Sequence, residues 1–339
     1  MSEIKQANGY RLHSAMQFLA PEISRRAQPR PENYGFDLDR ALGAVLALRS
    51  EIPEDAFTAS ILGTEREGHG VLIGDDGLVL TIGYLIAEAS LVTLASNAGK
   101  VAYADVVAYD YDTGFGLVRA NEPLDVEPIE IGESATLGVG TEVIAGGHGG
   151  TRQSMVVRVV SKREFAGYWE YLLDEAVFTA PPHPNWGGTA LIGPDGKLRA
   201  IGSLYVQDAL PGNNTSRGNM FVPIDLLKPI LPDLLTFGRA SRRPRPWLGM
   251  FTTEVEGHLV VAGLASNGPA ERGGIRVGDL VLRVAGQPVA DLADMLRLIW
   301  SQGDAGVEIP LTVQREERLC ETVVPSANRY DFMKLPRPH

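Results

Sequence analysis

Short apolar runs separated by glycine- and aspartate-rich turns recur along most of the chain. Gly70-Val71-Leu72-Ile73-Gly74, then Asp75-Asp76-Gly77, then Leu78-Val79-Leu80-Thr81-Ile82 has the form of a β-hairpin. Similar runs at 91–94, 102–108, 115–118, 142–145, 154–160, 176–180, 190–192, 198–205 and 220–222 predict further strands. Almost no helical periodicity lies between them, so this part reads as an all-β barrel or sandwich. Ile224–Leu235 predicts a closing helix, made irregular by Pro229 and Pro232. Beyond residue 246 the pattern becomes mixed. Strands are expected near 248–251, 259–264, 280–284 and 307–314, with helical stretches near 269–272 and 292–300. In the second of these helices, Leu292, Met295, Leu296, Leu298 and Ile299 offer one apolar face.

These changes of texture divide the chain. Residues 1–41 form an N-terminal extension, with a helical turn expected at Ala15–Leu19 and interruptions at Pro21, Pro29 and Pro31. Residues 42–237 form the strand-rich unit, 238–246 a linker, 247–326 a smaller α+β unit and 327–339 a tail. The linker carries four arginines, Arg239, Arg242, Arg243 and Arg245, and reads as a solvated hinge. A length of 339 residues suits two domains. With 44% apolar and 22% charged residues, bulk disorder is excluded. A net charge of -11 argues against a nucleic-acid partner. The single cysteine, Cys320, allows no internal disulfide. No apolar run approaches the ~20 residues that span a bilayer. Met1–Gln6 lacks a charged start followed by an apolar stretch, so the expected location is the cytoplasm.

Several chemical signals are weak. Gly146–Gly150 has the look of a phosphate cradle, but no Gly-Lys-Ser/Thr follows, and a flexible turn fits better. Asp110–Gly114 begins like a calcium loop, yet its twelfth position is Asn121 and the bidentate acid is missing. The six histidines are scattered without metal-ligand spacing, so neither a metal nor a cofactor is expected.

A set of ordered motifs is stronger. Gly68–Ile73 with Asp76–Thr81, Asp110–Thr113, Thr141–Gly146, Pro184-Asn185-Trp186-Gly187-Gly188 and Phe221-Val222-Pro223-Ile224 resemble, in order, the landmarks of trypsin-like proteases of the HtrA (Deg) family. Arg245–Met250, Gly268–Ala270, Gly278–Leu282 and Gly286–Val289 resemble the PDZ domain that follows the protease in that family. The resemblance runs from about residue 42 to about residue 325. It implies a mostly β fold, a trypsin-like double β-barrel followed by a smaller α+β PDZ domain.

The family's chemistry needs a serine nucleophile, a histidine base and an orienting aspartate. The matching positions here are Trp186, Tyr84 and Gly114. Tryptophan offers only an N–H donor. Tyrosine, with a pKa of about 10, is a poor base at neutral pH, and glycine has no side chain. The oxyanion donor two residues before the serine falls on Pro184, which has no N–H. His183, His148, Ser154 and Ser203 are the candidates for a displaced set, and they show no recognisable spacing. His183 reads as a surface turn residue and Trp186 as an aromatic filling of the pocket. Tyr168-Trp169-Glu170-Tyr171 covers the barrel edge or lines a groove.

Leu248-Gly249-Met250, with Trp247 before it, matches the apolar-Gly-apolar loop whose amides receive a peptide's terminal carboxylate in PDZ domains. The resulting expectation is a protein without hydrolytic activity, a binding adaptor or chaperone-like protein for peptides or protein C-termini. The rival is an active HtrA-type endopeptidase with displaced catalytic groups. A third reading is a structural subunit that regulates an active protease partner. The resemblance also implies trimers and, unlike the N-terminus, export.

Overall fold

The computed structural model describes residues 23–212 and 215–334. The turn expected at Ala15–Leu19 lies outside them. Helix α1 (Leu38–Gly43) starts where the Asp37 carboxylate accepts the Arg40 N–H at 3.0 Å. Six strands follow: β1 (Val45–Glu51), β2 (Glu65–Leu72), β3 (Leu78–Ile82), β4 (Leu91–Ala95), β5 (Val101–Tyr109) and β6 (Phe115–Ala120). They close into a barrel in the order β1-β2-β3-β6-β5-β4, with the short helix α2 (Ala59–Leu62) between β1 and β2. The β2–β3 hairpin is the one read from the apolar alternation. Its turn ends on Gly77 at φ +79, a conformation glycine adopts without a Cβ clash.

A second barrel repeats the plan. Strands β7 (Glu142–Gly146), β8 (Ser154–Gly167), β9 (Tyr171–Ala180), β10 (Ala190–Ile192), β11 (Leu198–Val206) and β12 (Gly218–Pro223) close in the order β10-β11-β12-β9-β8-β7. The main apolar cluster joins the barrels, with Leu48, Leu80 and Phe115 of the first packing with Ile144, Phe178 and Ile201 of the second. The predicted closing helix is shorter than expected. A 3-10 turn at Ile224–Leu226 precedes α3 (Leu231–Phe237), whose Pro232 sits in the first turn, where a missing N–H costs nothing.

The third unit is a sheet of order β13-β14-β15-β17-β18 with two helices. Its elements are β13 (Met250–Val255), β14 (His258–Leu264), α4 (Pro269–Arg272), β15 (Leu280–Val284), β16 (Gln287–Pro288), α5 (Leu292–Trp300), β17 (Glu308–Arg315) and β18 (Arg318–Pro325). Helix α5 starts at Asp291, whose carboxylate accepts the Asp294 N–H at 2.7 Å, and it buries Leu292, Ala293, Met295, Leu296 and Ile299. Leu298 is only partly buried. The chain is therefore mostly β, a double barrel followed by a smaller α+β unit.

The linker is solvent-exposed over 241–245, but three of its arginines are paired. Arg242 binds the buried Asp110 and, at 2.7 Å, Asp112, both in the turn between β5 and β6. Arg243 pairs with Asp304 at 2.7 Å, and the Arg245 guanidinium lies 4.2 Å above the Trp300 ring. The acidic partners are distant in sequence, so composition alone gave no sign of this pairing. The segment after β18 returns to the first barrel: the Tyr330 hydroxyl donates to the Tyr109 carbonyl at 2.9 Å, and the Lys334 N–H donates to Glu88 at 2.9 Å. Because Asp110 is 2% exposed, removing its cation leaves a carboxylate short of a partner. Arg242→Ala is expected to cost about 2 kcal/mol, read as a lower urea midpoint at unchanged slope.

Candidate functional site

A cleft of about 540 Å³ lies where the barrels and the third unit meet. Tyr84, Gly114, Pro184 and Trp186 all line it, so four positions spread over a hundred residues of sequence converge. Tyr84 enters from the 3-10 turn that ends β3, and its hydroxyl donates to the Ser203 carbonyl on β11 at 2.9 Å. Burial pushes its phenol well above the ordinary value, with a smaller opposing influence from hydrogen bonding to the Trp186 side chain. Trp186 is half-buried, and its ring lies 5.7 Å from that of Tyr205.

Gly114 closes the β5–β6 turn. Its N–H donates to Asp110 at 2.8 Å, and its carbonyl accepts the Gly83 N–H at 2.7 Å. Its φ is +82, and a Cβ there would sit 3.0 Å from the Tyr171 hydroxyl. The phenol of Tyr171 thus occupies the space beside this position and donates to the Thr113 carbonyl at 2.7 Å. The Pro184–Gly188 loop is fastened to the first barrel, since the His69 N–H donates to the Gly187 carbonyl at 2.9 Å.

His183 is not at the surface. It is fully buried, its N–H donating to Asn219 Oδ1 at 2.6 Å and its ring nitrogens facing the carbonyls of Asn185 at 2.9 Å and Gln153 at 3.0 Å. Asn219, which anchors it, is 36 residues away and gave no local signal. The Ser154 hydroxyl donates to Gly150 at 2.8 Å. The His148 N–H donates to Nδ1 of His69, whose ring centroid lies 6.3 Å from that of His183, so the three histidines sit close together. Among the residues lining the cleft, Ser203 is the one serine and His69 the one histidine. Among the described residues, no group of His, Cys, Asp or Glu is placed to hold a metal ion, and no helix is long and apolar enough to cross a membrane.

Trp247, Leu248, Gly249 and Met250 divide into two roles. The Trp247 ring is buried between Phe57 and Phe332, at centroid separations of 5.9 and 4.8 Å. Gly249 has φ +69, which turns the amides of Leu248 and Met250 toward one point. That point holds the Glu170 carboxylate from the β8–β9 hairpin: Leu248 N–H donates to Oε2 at 3.0 Å and Met250 N–H to Oε1 at 2.9 Å. Burial raises the Glu170 carboxyl above its usual range, while these amides act against that shift. The aromatic run 168–171 marks this hairpin tip in the sequence, but nothing local announces Glu170 as an occupant of a loop 78 residues downstream.

Comparison with known proteins agrees with this architecture. A trypsin-like peptidase domain matches residues 68–201 and a PDZ domain matches residues 246–325. The chain is similar to a probable periplasmic serine endoprotease, DegP-like, of Pseudomonas putida, at 27% identity over 250 residues, 68% of this chain and 50% of the relative. It is similar to the serine endoprotease DegS of Salmonella typhimurium at 24% identity over 307 residues, covering 85% of this chain and 84% of the relative. The chain spans about half the length of the Pseudomonas relatives it matches. Among solved structures, the HtrA-type protease AlgW with tripeptide shares the fold, with a TM-score of 0.51 at 19% identity, covering 91% of this chain and 99% of that one.

These names correct two expectations. The chain was expected to be no enzyme, whereas the relatives are named serine endoproteases. Three substituted positions speak to one placement of the catalytic groups and not to the whole cleft. It was also expected in the cytoplasm, whereas the Pseudomonas relatives are named periplasmic. A trypsin-like peptidase double barrel followed by a PDZ domain, matched along most of its described length by these relatives, gives this chain the domain order of HtrA-type proteins and supports kinship with them.

Proposed function

We propose that the chain acts on polypeptide, taking an extended segment with apolar or aromatic side chains into the cleft between the barrels. The observation that carries this reading is the lining itself. Tyr84, Tyr109, Tyr111, Trp169, Tyr171 and Trp186 surround the cavity, and Ile61 at 51% exposure stands among its lining residues. On this reading positions 84, 114 and 186 are those of the family's triad, position 184 is that of its oxyanion donor, and Tyr84 and Trp186 are contact surfaces for the bound segment. Holding unfolded chains in this way suits an adaptor or chaperone-like role. The PDZ loop Leu248–Met250 supplies a second site, for carboxylate-ending peptides. Trp186→Ala should weaken binding of fluorescein-labelled, carboxymethylated casein about 10-fold in an anisotropy titration. An unchanged affinity would remove the cleft from the reading.

A second reading, endoproteolysis in the same cleft, is supported by the names of the relatives. The serine hydroxyl in the lining is that of Ser203. Casein digestion and fluorophosphonate labelling by the pure chain, both lost in Ser203→Ala, would assign it. Labelling that persists in that variant would exclude Ser203 as the nucleophile. A periplasmic setting and homo-oligomerisation follow from the same kinship, and cell fractionation and light scattering test them.

A further inference from the structure

The carboxylate-binding loop of the PDZ domain already has an occupant. Glu170 presents both carboxylate oxygens to it, one to each of two amides. The surrounding hairpin completes the pattern of a bound peptide. Two residues before Glu170, the Tyr168 carbonyl accepts the N–H of Thr252 at 3.1 Å, on β13, the edge strand of the sheet. Two residues after it, Leu172 is buried in the apolar cluster of Leu248, Met250, Met295, Leu296 and Ile299. Ala166 packs on the same cluster. Across the groove, Arg297 of α5 binds Glu164 and, at 2.8 Å, Asp174, one on each strand of the hairpin.

We infer that the β8–β9 hairpin is an internal ligand of the PDZ domain, with the Glu170 side chain standing in for a peptide's terminal carboxylate, so that a carboxylate-ending peptide binds by displacing it. Two further observations show that the contact is built rather than incidental. Glu170 holds φ +59, a left-handed conformation that a non-glycine residue adopts at a cost. Its side chain is also partly buried, and the two amides compensate the carboxylate for the water it loses. The next residue, Tyr171, is the one whose phenol lies beside Gly114 in the cleft. Displacement of the tip would therefore release one wall of that cleft.

The inference rests on the PDZ half of the proposed function, that the loop takes carboxylates. Two readouts on the full-length chain keep the failures apart. In the first, backbone hydrogen exchange is compared for wild type and Glu170→Gln without any peptide. Leu248 and Met250 amides should exchange at least about 10-fold faster in the variant while α5 amides stay protected. Equal exchange overturns the internal-ligand assignment. In the second, a fluorescein-labelled heptapeptide ending in leucine with a free carboxylate is titrated against both proteins. It should bind Glu170→Gln about 10- to 100-fold more tightly than wild type, and its C-terminal amide should gain nothing. Equal affinities overturn the displacement. If the amides are released but neither protein binds the peptide, the loop does not accept C-termini; the PDZ half of the function falls, and Glu170 is a fixed clamp instead.

Discussion

Gly188→Ala should unfold the double barrel or cost it more than about 4 kcal/mol. A Cβ built on Gly188 would lie 1.9 Å from the His69 carbonyl oxygen, and that oxygen belongs to strand β2, which has no freedom to withdraw. The backbone is also left-handed there, at φ +77. The conformation alone costs a residue with a side chain about 1–2 kcal/mol. Gly140 separates the two contributions. Its φ is +91, but a Cβ there would meet nothing within 4 Å. Gly140→Ala should therefore cost only the conformational part, and thermal melts of the two variants measure the difference. A Gly188→Ala protein melting within a few degrees of Gly140→Ala would show that the loop following Trp186 can move away from β2. The contact of that loop with the first barrel would then not be a rigid one.

The second large effect is on acid stability. Burial, and then the neighbouring His183 and His148, pushes His69 down to about 3. The unfolded chain's histidine takes up a proton below about 6.5. Between those two values the unfolded state holds more protons than the folded one, so the contribution of His69 is complete above about 6.5 and drains away as the pH falls toward 3. The loss is about 1.4 kcal/mol per pH unit, or about 3 kcal/mol at pH 4.5. Burial lowers His148 and His183 as well, with the same sign. Urea midpoints taken at pH 7, 5.5 and 4.5 should fall steeply for wild type and less steeply for His69→Asn. Parallel curves would mean that His69 is already charged, or hydrated, in the folded protein.

Local patterns carried the strands, and distant partners carried what was missed. The β2–β3 hairpin and the apolar face of α5 are written in spacings of a few residues, so they were readable. The convergence of Tyr84, Gly114, Pro184 and Trp186 came from motif order, not from any property of the four residues themselves. His183 was misplaced because its burial depends on Asn219, which lies on another strand. The pairing of Arg242 gave no local signal because Asp110 and Asp112 precede it by more than a hundred residues. Glu170 was hidden for the same reason. A glutamate at a hairpin tip is ordinarily a solvated charge, and only the fold brings it against two backbone amides.

The path of the chain into and out of its PDZ module has a mechanical consequence. On the way in, Arg242 is moored to Asp110 and Asp112; on the way out, Tyr330 is moored to Tyr109. Both moorings fall within four consecutive residues, Tyr109 at the end of β5 and Asp110 and Asp112 in the turn that Gly114 closes. A body tethered twice to nearly the same spot keeps a fulcrum there, and any torque on the module is delivered first to that turn, at the floor of the cleft.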